Sequence, residues 1–147
     1  MDYAYIDENI RILNELKNSK DQCSEIVSML MECFNNNHKV ILAGNGGSAT
    51  DAMHFATDFL AGFRRGRKFL PAIALTGNQT SLTALANDYG YDEVFTKQLE
   101  ALGNDGDVFI GLSTSGKSKN VLEGLKVIDI IERIYQVRDK QWKKNKI

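Results

Sequence analysis

Little in this sequence points toward a membrane, a nucleic acid or an oxidising compartment. No apolar run approaches the roughly 20 residues that cross a bilayer, so no membrane association is expected. The N-terminus, Met1-Asp2-Tyr3-Ala4, has neither the basic start nor the apolar core of a secretion signal. Together these absences predict a cytoplasmic protein. An excess of either charge is also missing: 18 Lys and Arg stand against 19 Asp and Glu, a formal net charge of −1. That balance provides no electrostatic footprint for nucleic acid, and none is expected as a partner. Cysteine is scarce. Cys23 and Cys33 both fall in a helical pattern without a C-x-x-C motif, and both are expected to be buried, reduced thiols.

What remains is the composition of an ordinary globular domain, with 147 residues, 43% hydrophobic and 25% charged. Ile6, Ile10, Leu13 and Leu16 recur three or four apart and predict an amphipathic helix over residues 6–17. Ser19 and Gln22 read as a capping box that opens a second helix, which Asn35-Asn36-Asn37 ends. The pattern then becomes strand, loop, helix, three times over. The strands are Val40-Ile41-Leu42-Ala43, then Ala72-Ile73-Ala74-Leu75 behind Pro71, then Val108 to Leu112. A basic loop with Arg64, Arg65, Arg67 and Lys68 follows the first of these helices. Alternation of this kind predicts an α/β fold with a parallel sheet. In such a sheet the loops after the strands gather in one crevice, where ligands bind. A helix is expected to continue through Ile128, followed by a Lys-rich helical tail. The domain reading is 1–37 as N-terminal helices, 38–128 as the α/β domain and 129–147 as the tail.

Two of these loops suit an anion. Gly44-Asn45-Gly46-Gly47-Ser48 lies between strand and helix, where glycine lets the backbone approach a ligand and the helix N-terminus offers N–H groups. Asn45 adds an amide, and Ser48 is expected to cap the helix or meet a ligand. Ser113, Thr114, Ser115 and Ser118 place four hydroxyls around Gly116 at another strand-to-helix turn, an arrangement suited to phosphate. Gly111 to Ser118 also matches the nucleotide-binding pattern G-x-x-x-x-G-K-[ST]. It is rejected because Gly111 and Leu112 read as strand and no later strand ends in a magnesium-binding Asp. On the helix after the first loop, Asp51, His54 and Asp58 share one face, with Ala52, Met53, Phe55, Ala56, Phe59 and Leu60 expected on the buried side. His54 and Asp58, four apart, could bind a metal, share protons or form a surface pair.

In their order and spacing, several stretches across residues 40–125 resemble the sugar-isomerase (SIS) domain, and within it the phosphoheptose isomerases. They are Gly44 to Ala49, Asp51 to Ala56, Leu70 to Leu75, Asn87-Asp88-Tyr89-Gly90, Glu93-Val94-Phe95, and Ser113 to Gly116 with Ser118. The resemblance implies a three-layer flavodoxin-like fold, a homotetramer and cytoplasmic sugar-phosphate chemistry. The implied reaction converts sedoheptulose 7-phosphate to D-glycero-D-manno-heptose 7-phosphate, a precursor of bacterial surface polysaccharide. By position, it implies that Asn45, Gly46, Gly47, Asn87 and Asp88 contact the sugar and that Ser113, Thr114, Ser115 and Ser118 hold its phosphate. It makes His54 a zinc ligand, and Asp58 both a zinc ligand and the catalytic carboxylate, where the family has Glu. The family's C-terminal helix brings a further Gln and His to the metal and acid/base site. The sequence from Ile128 to Ile147 contains Gln136 and Gln141 but no histidine. The chain is therefore expected to be C-terminally truncated or frameshifted and to turn over little substrate. A non-catalytic SIS module that binds a sugar phosphate or a protein partner is the alternative reading.

Overall fold

The computed structural model describes residues 4–62 and 66–127. Two helices, α1 (Ala4–Leu16) and α2 (Lys20–Asn35), lead into three β-α units. These comprise β1 (Val40–Gly44), α3 (Gly47–Ala61), β2 (Ala72–Ala74), α4 (Gln79–Tyr89), α5 (Val94–Leu102), β3 (Val108–Leu112) and α6 (Lys119–Val127). All three strands were legible as short apolar runs. The expected helix end at Ile128, the tail 129–147, and Arg64 and Arg65 lie outside the described residues.

The strands form one parallel sheet in the order β2-β1-β3. β1 is central, and all five of its residues are buried. Its alternating side chains divide the core in two. Val40 and Leu42 pack with Cys33 of α2, Ala52 and Ala56 of α3, and Val108. Ile41 and Ala43 face the other way, toward Leu75, Val94, Phe95, Leu99, Phe109 and Val121. Helices thus cover both faces of the sheet, the three-layer α/β arrangement that the family resemblance implies.

Local expectations fail where neighbouring structure overrides them. Ser19 makes no capping hydrogen bond. A 3-10 turn over Lys17–Ser19 leads directly into α2, and Ser19 sits at φ −97°, ψ 15° rather than in the extended conformation of a cap serine. Cys23 is exposed, so only Cys33 is the buried thiol expected. On α3, Met53, Phe55 and Leu60 are exposed instead of buried. The small Ala52 and Ala56 bring the helix close against β1 and leave these larger side chains outside. α4 runs through Asn87 and Asp88 to Tyr89 and is closed by Gly90 at φ 88°. Asn78 caps that helix by accepting a hydrogen bond from the Ser81 N–H at 3.0 Å.

Candidate functional site

Strand order places the site. The chain leaves β1 for β2 on one side, while β3 lies on the other, so the loops after β1 and β3 diverge at a topological switch point. Those are the Asn45 loop and the Ser113–Ser118 loop.

Gly46 is the residue before the first turn of α3, at φ 56°, ψ −123°. Side-chain-bearing residues avoid this region, so the turn depends on glycine. The Ser48 N–H returns to the Asn45 carbonyl at 3.0 Å. The capping role expected of Ser48 is not seen, because Gly46 occupies that position and has no side chain to offer. The Ala49 and Thr50 N–H groups turn back to the Gly46 carbonyl at 3.0 and 3.3 Å, which leaves the Gly47 N–H outside these backbone bonds. Replacing Gly46 with Ala is expected to cost about 1–3 kcal/mol through backbone strain, readable as a lowered midpoint in denaturant. An unchanged midpoint would show that the turn tolerates a side chain.

The serine loop is already organised. Ser113 Oγ lies 3.0 Å from Ser118 Oγ and 3.5 Å from Ser115 Oγ. Ser115 Oγ accepts the Lys117 N–H at 3.1 Å, and the Gly116 N–H closes onto the Ser113 carbonyl at 3.2 Å. Thr114 and Ser115 are exposed, and α6 starts immediately after Ser118. Three serine hydroxyls thus converge at a helix N-terminus, which favours an anion. Gly111 and Leu112 complete β3, as the rejection of the nucleotide-binding pattern required. A Cβ on Gly111 would come 2.6 Å from Val121 Cγ1, so this glycine serves the packing of α6 on the strand.

The two loops are joined by residues that sequence reasoning missed. Asn120, in the first turn of α6, is only 2% exposed. Asn45 Nδ2 donates to Asn120 Oδ1 at 2.8 Å, and Asn120 Nδ2 donates back to Asn45 Oδ1 at 2.9 Å. The Tyr91 hydroxyl also reaches Asn45 Oδ1 at 2.9 Å. One signal was available for Asn120: a polar amide on the α6 face that also carries the buried Val121 and Gly124.

The remaining expected site residues are placed less closely. Asn87 Nδ2 donates to Asp88 Oδ1 at 2.8 Å on the exposed last turn of α4. Tyr91, a few residues further on, ties this segment to Asn45. His54 Nε2 lies 3.5 Å from Asp58 Oδ2, with side chains 75% and 42% exposed. This pair lies about two and three turns along α3 from Gly47. Its spacing fits two corners of a tetrahedral ion, whose neighbouring ligands are roughly 3.3–3.5 Å apart for bonds of 2.0–2.1 Å. Among the described residues, no cluster of three or more His, Cys, Asp or Glu completes such a centre.

A parallel sheet with helices on both faces, and Gly-rich and Ser-rich loops beside each other at its switch point, defines a doubly wound α/β domain with a candidate anion site. The SIS domain family model matches residues 4–130, and the chain belongs to that family. It is 47% identical over 119 residues to phosphoheptose isomerase 1 of Campylobacter jejuni, covering 81% of this chain and 64% of that protein. It is 50% identical over 108 residues to the phosphoheptose isomerase of Helicobacter pylori, covering 74% and 56%. The structure of phosphoheptose isomerase GmhA from Neisseria gonorrhoeae superposes with a TM-score of 0.78 at 42% identity, covering 84% of this chain and 65% of that one. A phosphoheptose isomerase structure from Francisella tularensis gives 0.81 at 36% identity, with the same coverage. The chain thus spans 56–65% of the length of these relatives.

Proposed function

We propose that this chain is the core of a sugar-phosphate isomerase of the phosphoheptose type, interconverting sedoheptulose 7-phosphate and D-glycero-D-manno-heptose 7-phosphate. The carrying observation is the Asn45–Asn120 junction, which sets the Gly-rich loop after β1 beside the serine loop after β3. The names of the relatives support the substrate class. In this reading Ser113, Thr114, Ser115 and Ser118 hold the phosphate, while Asn45, Gly46, Gly47, Asn87 and Asp88 meet the sugar. Aldose–ketose conversion takes a proton from the carbon beside the carbonyl, passes through an enediol and returns a proton to the neighbouring carbon. Asp58 is the proposed base, and the Asn45–Gly47 loop is the proposed partner of the oxygen that gains charge. Calorimetric titration with sedoheptulose 7-phosphate tests the reading. Saturable binding is expected, and folded protein that binds nothing at millimolar ligand would overturn it.

His54 and Asp58 are the proposed zinc ligands. When bound, zinc would supply Lewis-acid polarisation of the substrate oxygens. His54→Ala is expected to abolish any zinc retained after dialysis, measured by mass spectrometry of the metal. Unchanged retention would place the metal elsewhere. The proposed compartment is the cytoplasm, and the product would feed surface polysaccharide synthesis. No helix among the described residues is long and apolar enough to cross a membrane.

The proposed assembly is a homotetramer. Support comes from α1, which buries none of its residues in the monomer and exposes Ile6, Ile10, Leu13 and Leu16. Monomers rarely leave such a stripe uncovered. Sedimentation at micromolar concentration should give a multiple of 16.4 kDa, and a mass equal to one chain would refute assembly.

A further inference from the structure

The hydrogen bonds of Asn45 restrict what it can offer a ligand. Its Oδ1 accepts from Asn120 Nδ2 and meets the Tyr91 hydroxyl, so both lone pairs are engaged. One of its two Nδ2 protons goes to Asn120 Oδ1. Its remaining capacity is a single Nδ2–H. The direction of this pairing is fixed from the far side. Asn120 Oδ1 also accepts the Val121 backbone N–H at 3.0 Å, and only an oxygen can accept there. Asn120 must then present its nitrogen to Asn45, which forces Asn45 to present its oxygen in return.

We propose that Asn120 is a positioning residue that locks Asn45 as a hydrogen-bond donor, so that Asn45 recognises a lone-pair-bearing oxygen of the sugar. This rests on the sugar-phosphate reading above and adds the polarity of one contact within it. A carbonyl or enediolate oxygen meets that requirement, and stabilising a developing oxyanion demands a donor fixed in advance. Without Asn120, the Asn45 amide is free to rotate by 180° and offer an acceptor instead. Asn120 itself is buried behind the loop and acts through Asn45.

Two ligands separate this role from a merely structural one. Inorganic phosphate probes the serine loop alone, and sedoheptulose 7-phosphate probes both loops. Asn120→Ala is expected to weaken the sugar phosphate at least tenfold while changing inorganic phosphate less than twofold. Tyr91→Phe alters an exposed residue, 52% accessible, and guards against misfolding of the first variant. It is expected to weaken the sugar phosphate alone, by about two- to fivefold. In NMR spectra, the Nδ2 proton of Asn45 that bonds Asn120 should exchange slowly with solvent in the parent chain and markedly faster in Asn120→Ala. Equal losses for both ligands, or no loss for either in both variants, would overturn the proposal and leave the sugar-phosphate reading standing. A parent chain that binds inorganic phosphate but not sedoheptulose 7-phosphate would remove both.

Discussion

Removing the hydroxyls of Ser113 and Ser118 together should weaken binding of sedoheptulose 7-phosphate on the order of 100-fold. Hydrogen bonds to a charged group contribute about 1.5–3 kcal/mol each, and every 1.4 kcal/mol is a factor of ten in affinity. The two oxygens lie 3.0 Å apart, already gathered at one point, so little ordering is left to oppose binding. Neither serine belongs to the buried core, and Leu122 meets Ser118 through the backbone carbonyl, which the substitution keeps. Thermal stability of Ser113→Ala/Ser118→Ala should therefore remain within about 1 kcal/mol of the parent. Titration calorimetry on the double variant reads the effect. A loss smaller than threefold would show that the phosphate sits elsewhere.

The largest stability effect is expected at the opposite end of the sheet. Asp107, just before β3, is 3% exposed and satisfies three donors. Its Oδ1 accepts the Lys39 N–H at 2.9 Å, while Oδ2 accepts the Asn104 N–H at 2.8 Å and pairs with Lys39 Nζ. The carboxylate thus fastens the entries of β1 and β3 side by side. Asp107→Ala should destabilise the fold by about 3 kcal/mol, because it orphans buried donors and a cation. Burial is the largest single influence and pushes the Asp107 carboxyl up. The Lys39 ammonium and the two backbone N–H groups together outweigh it and hold the carboxyl below its ordinary value near 3.8. As pH falls, the unfolded chain takes up this proton before the folded one. The contribution is therefore complete at neutral pH and drains away below about pH 4. Urea denaturation across pH 7 to 3 should show the parent losing stability in that window and Asp107→Ala losing less. Parallel curves would contradict the assignment. Sugar-phosphate affinity, measured on folded protein, should not change.

How much of this was legible depends on the range of the interaction. The strands could be read because a buried parallel strand must be apolar on both faces, as Val40 to Ala43 and Val108 to Leu112 are. Their loops could be read as turns because Gly46 and Gly116, at φ 56° and 61°, supply the backbone freedom that a strand-to-helix turn needs. The inward face of α3 was misjudged because periodicity cannot say how wide a helix face the sheet covers. Here the sheet takes Ala52 and Ala56 and excludes Phe55. The Ser19 cap failed because the 3-10 turn before it supplied no true helix start. Asn120 was missed for a different reason. Its meaning comes from Asn45, 75 positions earlier, and only folding shows that the two amides face each other across the switch point.

The central claim is that the loops after β1 and β3 form one sugar-phosphate site. Backbone NMR of the isotope-labelled chain during titration with sedoheptulose 7-phosphate tests it most directly. The account predicts saturable shifts that appear together, with one dissociation constant, at Gly46, Gly47 and Ser48 and at Ser113 to Ser118. It also predicts no shifts at Lys39, Asn104 and Asp107 at the far end of the sheet. Shifts confined to one loop, or their absence in both at millimolar ligand, would contradict it.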